Sequence, residues 1–163
     1  MKKDHIYIIT FLFLFIDQLS KYIIKENLNL FEKIEIIPHF FSINYVQNEG
    51  AAWGILSNMS IVLTIISALF IILLNKYINK QNNLNKLSII SYGLLLGGVL
   101  GNLIDRILYN YVIDFLDFNI FGYNYPVFNI ADIGIVIGCI LLIINIIKED
   151  YHDSKRCKQW KTW

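Results

Sequence analysis

The sequence predicts an all-α membrane protein, with four transmembrane helices and small extracytoplasmic β-rich segments. Three observations lead there. Of the 163 residues, 56% are hydrophobic and only 17% charged, too apolar a balance for one soluble domain of that length. Four apolar stretches, Ile6 to Ile24, Ile55 to Tyr77, Leu87 to Leu108 and Asn129 to Ile147, each approach the roughly 20 residues a helix needs to cross about 30 Å of hydrocarbon. The connections after the first and third stretches are rich in β-branched and aromatic residues, unlike disordered linkers.

The first stretch opens like a signal peptide, with Lys2 and Lys3 ahead of an apolar run to Ile16. Asp17 and Lys21 then stand where a small-residue cleavage site belongs, so the stretch reads as a retained span. "IEIIPHFFSINYV", broken by Pro38, and "YVIDFLDFNIFGYNYPVF", with a turn near Gly122, read as short strands or amphipathic pieces on the membrane surface. Between the second and third spans "NKQNNLNK" is a short polar turn. Gly93, Gly97 and Gly101 recur every four residues on the third span, as Gly134 and Gly138 do on the fourth. Such spacing lets backbones approach where lipid offers no hydrophobic drive, and spans three and four are expected to touch. The tail from Lys148 to Trp163 reads as a frayed, solvated end. No internal repeat appears, and residues 1–163 read as a single integral membrane domain. Cys139 sits in an apolar run and Cys157 in the charged tail, so no disulfide is expected.

Basic residues orient the spans. Lys2 and Lys3, Lys76, Lys80 and Lys86, and Lys148, Lys155, Arg156, Lys158 and Lys161 all fall on one side if four spans alternate. That side is the cytoplasm by the positive-inside rule, with both termini there. The opposite connections hold Lys25 and Lys33 against Glu26, Glu32, Glu35, Glu49, Asp114 and Asp117, and face outward. A net charge of +1 implies no nucleic-acid partner.

Polar residues collect at one depth near that outer surface. Asp17 and Lys21 share a helical face at the outer end of span one, and Asn102, Asp105 and Arg106 occupy one turn at the outer end of span three. Asp114 lies just beyond, and Asn129 and Asp132 share the first turn of span four. Any one of these alone is explained by an ion pair or a helix cap. Asp17 with Lys21, and Asp105 and Arg106 with partners across the bundle, read as structural. Asp114 and Asp132 have no adjacent cation in sequence. Two such carboxylates brought together resist ionising simultaneously, and one then holds a proton near neutral pH. An aspartyl peptidase uses that state: the ionised member activates water and the protonated member polarises the scissile carbonyl.

Other chemistries find less support. His5, His39 and His152 are scattered, with no HExxH and no Cys/His cluster, so neither a metal site nor a cofactor is expected. Nothing ties Lys21 to Ser42 or Ser57 for a Ser/Lys mechanism. A proton- or cation-relaying transporter calls for acidic groups near mid-membrane, and a scaffold protein has no need of unpaired aspartates.

"DQLSK" (Asp17 to Lys21), "NEGAAWG" (Asn48 to Gly54), "GNLIDR" (Gly101 to Arg106), "VIDF" (Val112 to Phe115) and "FNIAD" (Phe128 to Asp132) resemble, in order, the five signature blocks of bacterial lipoprotein signal peptidase, or signal peptidase II. The resemblance runs from the first span through the fourth. It implies a membrane aspartyl endopeptidase of the bacterial cell membrane. Such an enzyme removes signal peptides from prolipoproteins by cutting just before a diacylglyceryl cysteine, with membrane lipid around it and a monomer as the default. By the same resemblance Asp114 and Asp132 are the catalytic pair. Asp17, Lys21, Asn48, Gly50, Asn102, Asp105, Arg106 and Asn129 hold the site or the substrate. Gln47 departs from the basic residue more usual before that asparagine. Small residues at Gly50, Ala51 and Ala52 suit a close backbone approach, either to substrate or in a tight start to span two.

Overall fold

The computed structural model describes residues 3–50 and 59–160, with side chains through residue 149. The start of the second apolar stretch at Ile55, and Ala51, Ala52 and Gly54, lie outside the described residues. Among the described residues, four helices are long and apolar enough to cross a membrane: α1 (Asp4–Asn27), α2 (Ser60–Lys80), α3 (Lys86–Tyr109) and α4 (Ile130–Trp160). At 1.5 Å per residue, the 24 residues of α3 extend about 36 Å. The tail differs from expectation, because the α4 backbone stays helical through Trp160. No Gly or Pro occurs between Lys148 and Trp160 to end it.

Helix α3 is the central post. Its small residues are buried, including Ser88, Ser91, Gly93, Gly97, Gly98 and Gly101, whereas α2 buries only Ser60 and Ile78 and turns most of its surface outward. The glycine stripe serves a different neighbour from the one expected. A Cβ at Gly93 would lie 2.6 Å from Ile9 Cγ2, and one at Gly97 3.1 Å from the Thr10 carbonyl, so the stripe receives α1. The α3–α4 contact does exist, through Gly98 and Gly138. A Cβ at Gly98 would strike the Ala131 carbonyl and come within 2.8 Å of Ile135, and one at Gly138 would lie 3.0 Å from the Ser91 carbonyl. Ser91 Oγ donates to the Gly138 carbonyl at 2.7 Å, and Thr10 Oγ1 to that of Gly93 at 3.2 Å, each crossing between helices that glycine lets approach.

The connections after α1 and α3 unite in one antiparallel sheet. Strands β1 (Lys33–Ile37), β2 (Phe41–Asn48), β3 (Val112–Ile120) and β4 (Tyr123–Asn124) pair in the order β1-β2-β3-β4. Turns at Pro38–His39 and Phe121–Gly122 use left-handed backbone at His39, Phe121 and Gly122. One face of the sheet is apolar. Tyr45, Ile113 and Phe115 are buried against Ile24 and Leu28 at the end of α1 and Ile130 at the start of α4, which seats the sheet on the helix ends. The β2–β3 pairing shifts register between Ile43 and Val46 and then sets Val46 opposite Asp114. Isolated bridging of Phe128 to Leu116 brings the chain just before α4 alongside β3.

Replacing Gly98 by Ala puts a methyl against the Ala131 backbone, which cannot yield as a flexible side chain would. Gly98→Ala is expected to cost about 1–3 kcal/mol by overpacking. Thermal unfolding in detergent measures it, and an unchanged midpoint would contradict this α3–α4 approach.

Candidate active site

Lys21 is the first polar group to account for, because it is 1% exposed toward the C-terminal end of α1. Its ammonium lies 2.9 Å from Asp17 Oδ2 and 2.9 Å from Asp105 Oδ2, and donates to Asn102 Oδ1 at 2.9 Å. Three donors thus meet three acceptors. Helical spacing explains the convergence: Asp17 stands one turn before Lys21 on α1, and Asn102 and Asp105 share a face of α3. The carboxylates also reach beyond the cation. Asp17 Oδ1 accepts from the Ala131 N–H at 2.8 Å, satisfying a first-turn donor of α4 that no helix carbonyl can serve. Asp105 Oδ2 accepts from the Ile113 N–H at 3.1 Å, at the start of β3. Gln18 completes the node, donating to Asp105 Oδ1 at 2.9 Å and to the Gly101 carbonyl at 3.2 Å.

From this node an amide framework extends to the two remaining aspartates. Asn102 Nδ2 donates to Asp132 Oδ1 at 2.8 Å. Asn129 and Asp132 cap each other across the first turn of α4: the Asp132 N–H donates to Asn129 Oδ1 at 3.0 Å, and the Asn129 N–H to Asp132 Oδ2 at 3.2 Å. Asn129 Nδ2 then donates to Asp114 Oδ1 at 2.7 Å and to Asn102 Oδ1 at 3.1 Å. Asn48 Nδ2 donates to Asp114 Oδ2 at 2.8 Å, and the Asn48 carbonyl oxygen of the side chain accepts from the Gly50 N–H at 3.0 Å. Each oxygen of Asp114 and Asp132 therefore receives a neutral N–H donor. Among the described residues, neither carboxylate has a cation within salt-bridge distance.

Both carboxylates line one cleft of about 1080 Å³ between the sheet and the N-terminal part of α4. Asn48, Gly50, Asn102 and Arg106 share its polar side, and Phe118, Phe128, Ile133, Val136 and Ile137 its apolar side. Arg106 donates from Nη2 to the Gly50 carbonyl at 3.3 Å, while its buried Nε has no hydrogen-bond partner among the described residues. Asp105 takes its cation from Lys21, and Arg106 turns to the cleft. Asp114, in β3, is 2% exposed. Burial first, and the neighbouring Asp132 charge second, push its carboxyl up to about 7 despite the hydrogen bonds from Asn48 and Asn129.

All ten residues singled out in the sequence belong to this one network or its cleft. Gln18 and Glu49 are not among them, and Gln47 stands in the sequence only as a departure from the basic residue more usual there. Gln18 sits inside the "DQLSK" block, and its position beside Asp17 was the available signal. Gln47 and Glu49 line the cleft, and Gln47 Nε2 donates to the Tyr45 hydroxyl at 3.0 Å. Ser42 is buried on β2 opposite Asp117, and Lys21 is fully engaged elsewhere, while Ser57 lies outside the described residues. Among the described residues no group of three or more His, Cys, Asp or Glu is gathered to hold a metal ion.

A family model described as signal peptidase (SPase) II matches residues 9–148. Lipoprotein signal peptidases of Staphylococcus aureus strains JH9 and Newman are each 44% identical over 140 residues, 86% of this chain and 86% of theirs. A bacterial membrane enzyme solved by the in meso method at 2.3 Å resolution superposes with a TM-score of 0.82 at 42% identity, covering 88% of this chain and 87% of its own. A second, at 1.9 Å, superposes with a TM-score of 0.78 at 42% identity, covering 86% and 91%.

The raised Asp114 carboxyl has a signed consequence for stability. Between the ordinary carboxylate value near 4 and about 7 the folded chain keeps a proton that the unfolded chain releases. Stability is therefore expected to fall as pH rises through that window. Unfolding in detergent from about pH 5 to about pH 8 should show the decline, and Asp114→Asn should flatten it. Equal slopes in both proteins would contradict the assignment.

Proposed function

The chain belongs to the signal peptidase II family, aspartic-type endopeptidases that remove the signal peptide from prolipoproteins, and from that premise we propose which residues carry the reaction. Asp114 and Asp132 form the catalytic pair. The carrying observation is that both line one cleft and, among the described residues, are held by Asn48, Asn102 and Asn129, with no cation bound to either.

Such a pair shares one proton. Asp114, whose carboxyl is raised to about 7, holds it and donates a hydrogen bond to the scissile carbonyl, while Asp132 takes a proton from the attacking water. The water oxygen bonds to the carbonyl carbon and a tetrahedral intermediate forms. Collapse breaks the C–N bond, and the proton taken from water passes to the leaving amine. Asp17, Lys21 and Asp105 position the amides. Gly50 and Arg106 border the substrate's path.

The substrate reading follows from the cleft's two chemistries. A diacylglyceryl cysteine places lipid against the apolar side and the peptide bond just before it against the polar side. With basic residues inside, the termini are cytoplasmic and the site opens at the outer face of the cytoplasmic membrane, the depth of a lipidated cysteine. The whole chain acts as one membrane-embedded unit, a monomer surrounded by lipid, with no nucleic-acid partner.

Asp114→Asn and Asp132→Asn keep side-chain shape and remove the ionisable carboxyl. Each should fold in detergent yet lose nearly all cleavage of a lipidated precursor, and the double variant should lose little more, because members of one catalytic unit are not additive. Mass measurement of the product per folded molecule checks this. Substantial turnover in either single variant would overturn the pair.

A further inference from the structure

Phe121 and Phe31 are unusual in two independent ways. Phe121 is 106% exposed and Phe31 70% exposed, and both hold left-handed backbone, at φ 52° and 65°. A bulky residue rarely accepts that conformation, and when the surrounding structure enforces it the strain points to use. Both turns are held firmly. The Gly122 N–H donates to Asn119 Oδ1 at 2.9 Å and Asn119 Nδ2 to Asn124 Oδ1 at 2.7 Å, while the Phe31 N–H donates to the Tyr45 carbonyl at 2.8 Å. These rings are presented by built turns.

Their surroundings indicate what covers them. Phe31 follows Leu28, the C-cap of α1, by three residues, so it stands within about 10 Å of a transmembrane helix end. Ile120, next to Phe121, lines the same cleft as Val136 and Ile137, which face outward from α4 at 57% and 43% exposure. The β3–β4 tip therefore overhangs the lipid-facing flank of α4. The tip "IFGYNY" carries no charge, and the exposed Tyr123 has the ring-and-hydroxyl chemistry of a membrane interface.

We propose that Phe31 and Phe121 are two membrane anchors that dip into the leaflet bordering the sheet and hold the Asp114–Asp132 cleft at a fixed depth against it. This deepens the outer-face reading above and rests on it. With one anchor beside α1 and the other over α4, the sheet cannot tilt away from the bilayer without withdrawing an aromatic ring into water.

The test uses the full chain with Cys139→Ala and Cys157→Ala, reconstituted in phosphatidylcholine and phosphatidylglycerol vesicles. Spin labels are placed at Phe31→Cys or Phe121→Cys, with references at Phe11→Cys within α1 and Glu26→Cys at its polar end. Oxygen should collide with labels at 31 and 121 far more often than a water-soluble nickel chelate does, as at 11 and unlike 26. Phe31→Ser with Phe121→Ser should lower cleavage in vesicles by about tenfold, the scale of returning an aromatic ring to water, and leave cleavage in micelles unchanged. Water-like collisions at either position, shielding from both reagents as under a protein partner, or an unchanged vesicle-to-micelle ratio overturns the proposal. Those outcomes leave the catalytic pair standing, since that reading fails only if the Asp114 or Asp132 variants turn over.

Discussion

A lysine ammonium buried at a helix end in a membrane protein dictates much of what surrounds it. Leaving Lys21 unpaired would cost several kcal/mol, so its neighbours must supply both charge and hydrogen-bond acceptors. Asp17, Asp105 and Asn102 do so from α1 and α3, and the same carboxylates catch the Ala131 and Ile113 N–H groups at the starts of α4 and β3. One cation thereby fixes four elements relative to one another. The glycine faces of α3 are the steric counterpart, since Asp17 reaches Lys21 and Ala131 only because Gly101 leaves room beside it.

The proposed catalytic pair is kept one layer away from that cation. Asp114 and Asp132 are held by neutral amides, whose hydrogen bonds orient a carboxyl while lowering its proton affinity less than a bound ammonium would. Asn102 joins the two layers, accepting from Lys21 and donating to Asp132. Asn129 joins the pair itself, touching Asp114 by its side chain and Asp132 through reciprocal capping. Asp132 is thus a helix-capping residue and a cleft carboxylate at once, with the two roles divided between its oxygens.

Much of this was legible in the sequence because hydropathy and charge are local quantities. The four spans, the shared depth of the polar groups and the missing counter-charge beside Asp114 and Asp132 are all read along the chain. What required the fold is pairwise. The strand-forming character of the connections after α1 and α3 is local, but their union depends on the pairing of Phe41–Asn48 with Val112–Phe118, which sequence spacing does not encode. Glycines every four residues announce a close contact without naming the partner, and the stripe from Gly93 to Gly101 receives α1 while Gly98 meets α4. Arg106 follows Asp105 in sequence, yet successive helical residues diverge in direction, so one serves the Lys21 node and the other the cleft. Gln18 stands beside Asp17 in sequence, but its weight comes from two further acceptors that α3 brings to it, the Gly101 carbonyl and Asp105.

The dependence of the proposed catalytic pair on the buried cation is the central claim, and cleavage per folded molecule by Lys21→Met measures it most directly. Methionine keeps the apolar stem and removes the charge, leaving Asp17 and Asp105 uncompensated and Asn102 Oδ1 with Asn129 as its remaining donor. A loss of about 3–5 kcal/mol in stability is expected. The molecules that do fold should cleave at least about tenfold more slowly, because Asn102 no longer holds Asp132 in place. Folded Lys21→Met cleaving a lipidated precursor at the unsubstituted rate would contradict the account.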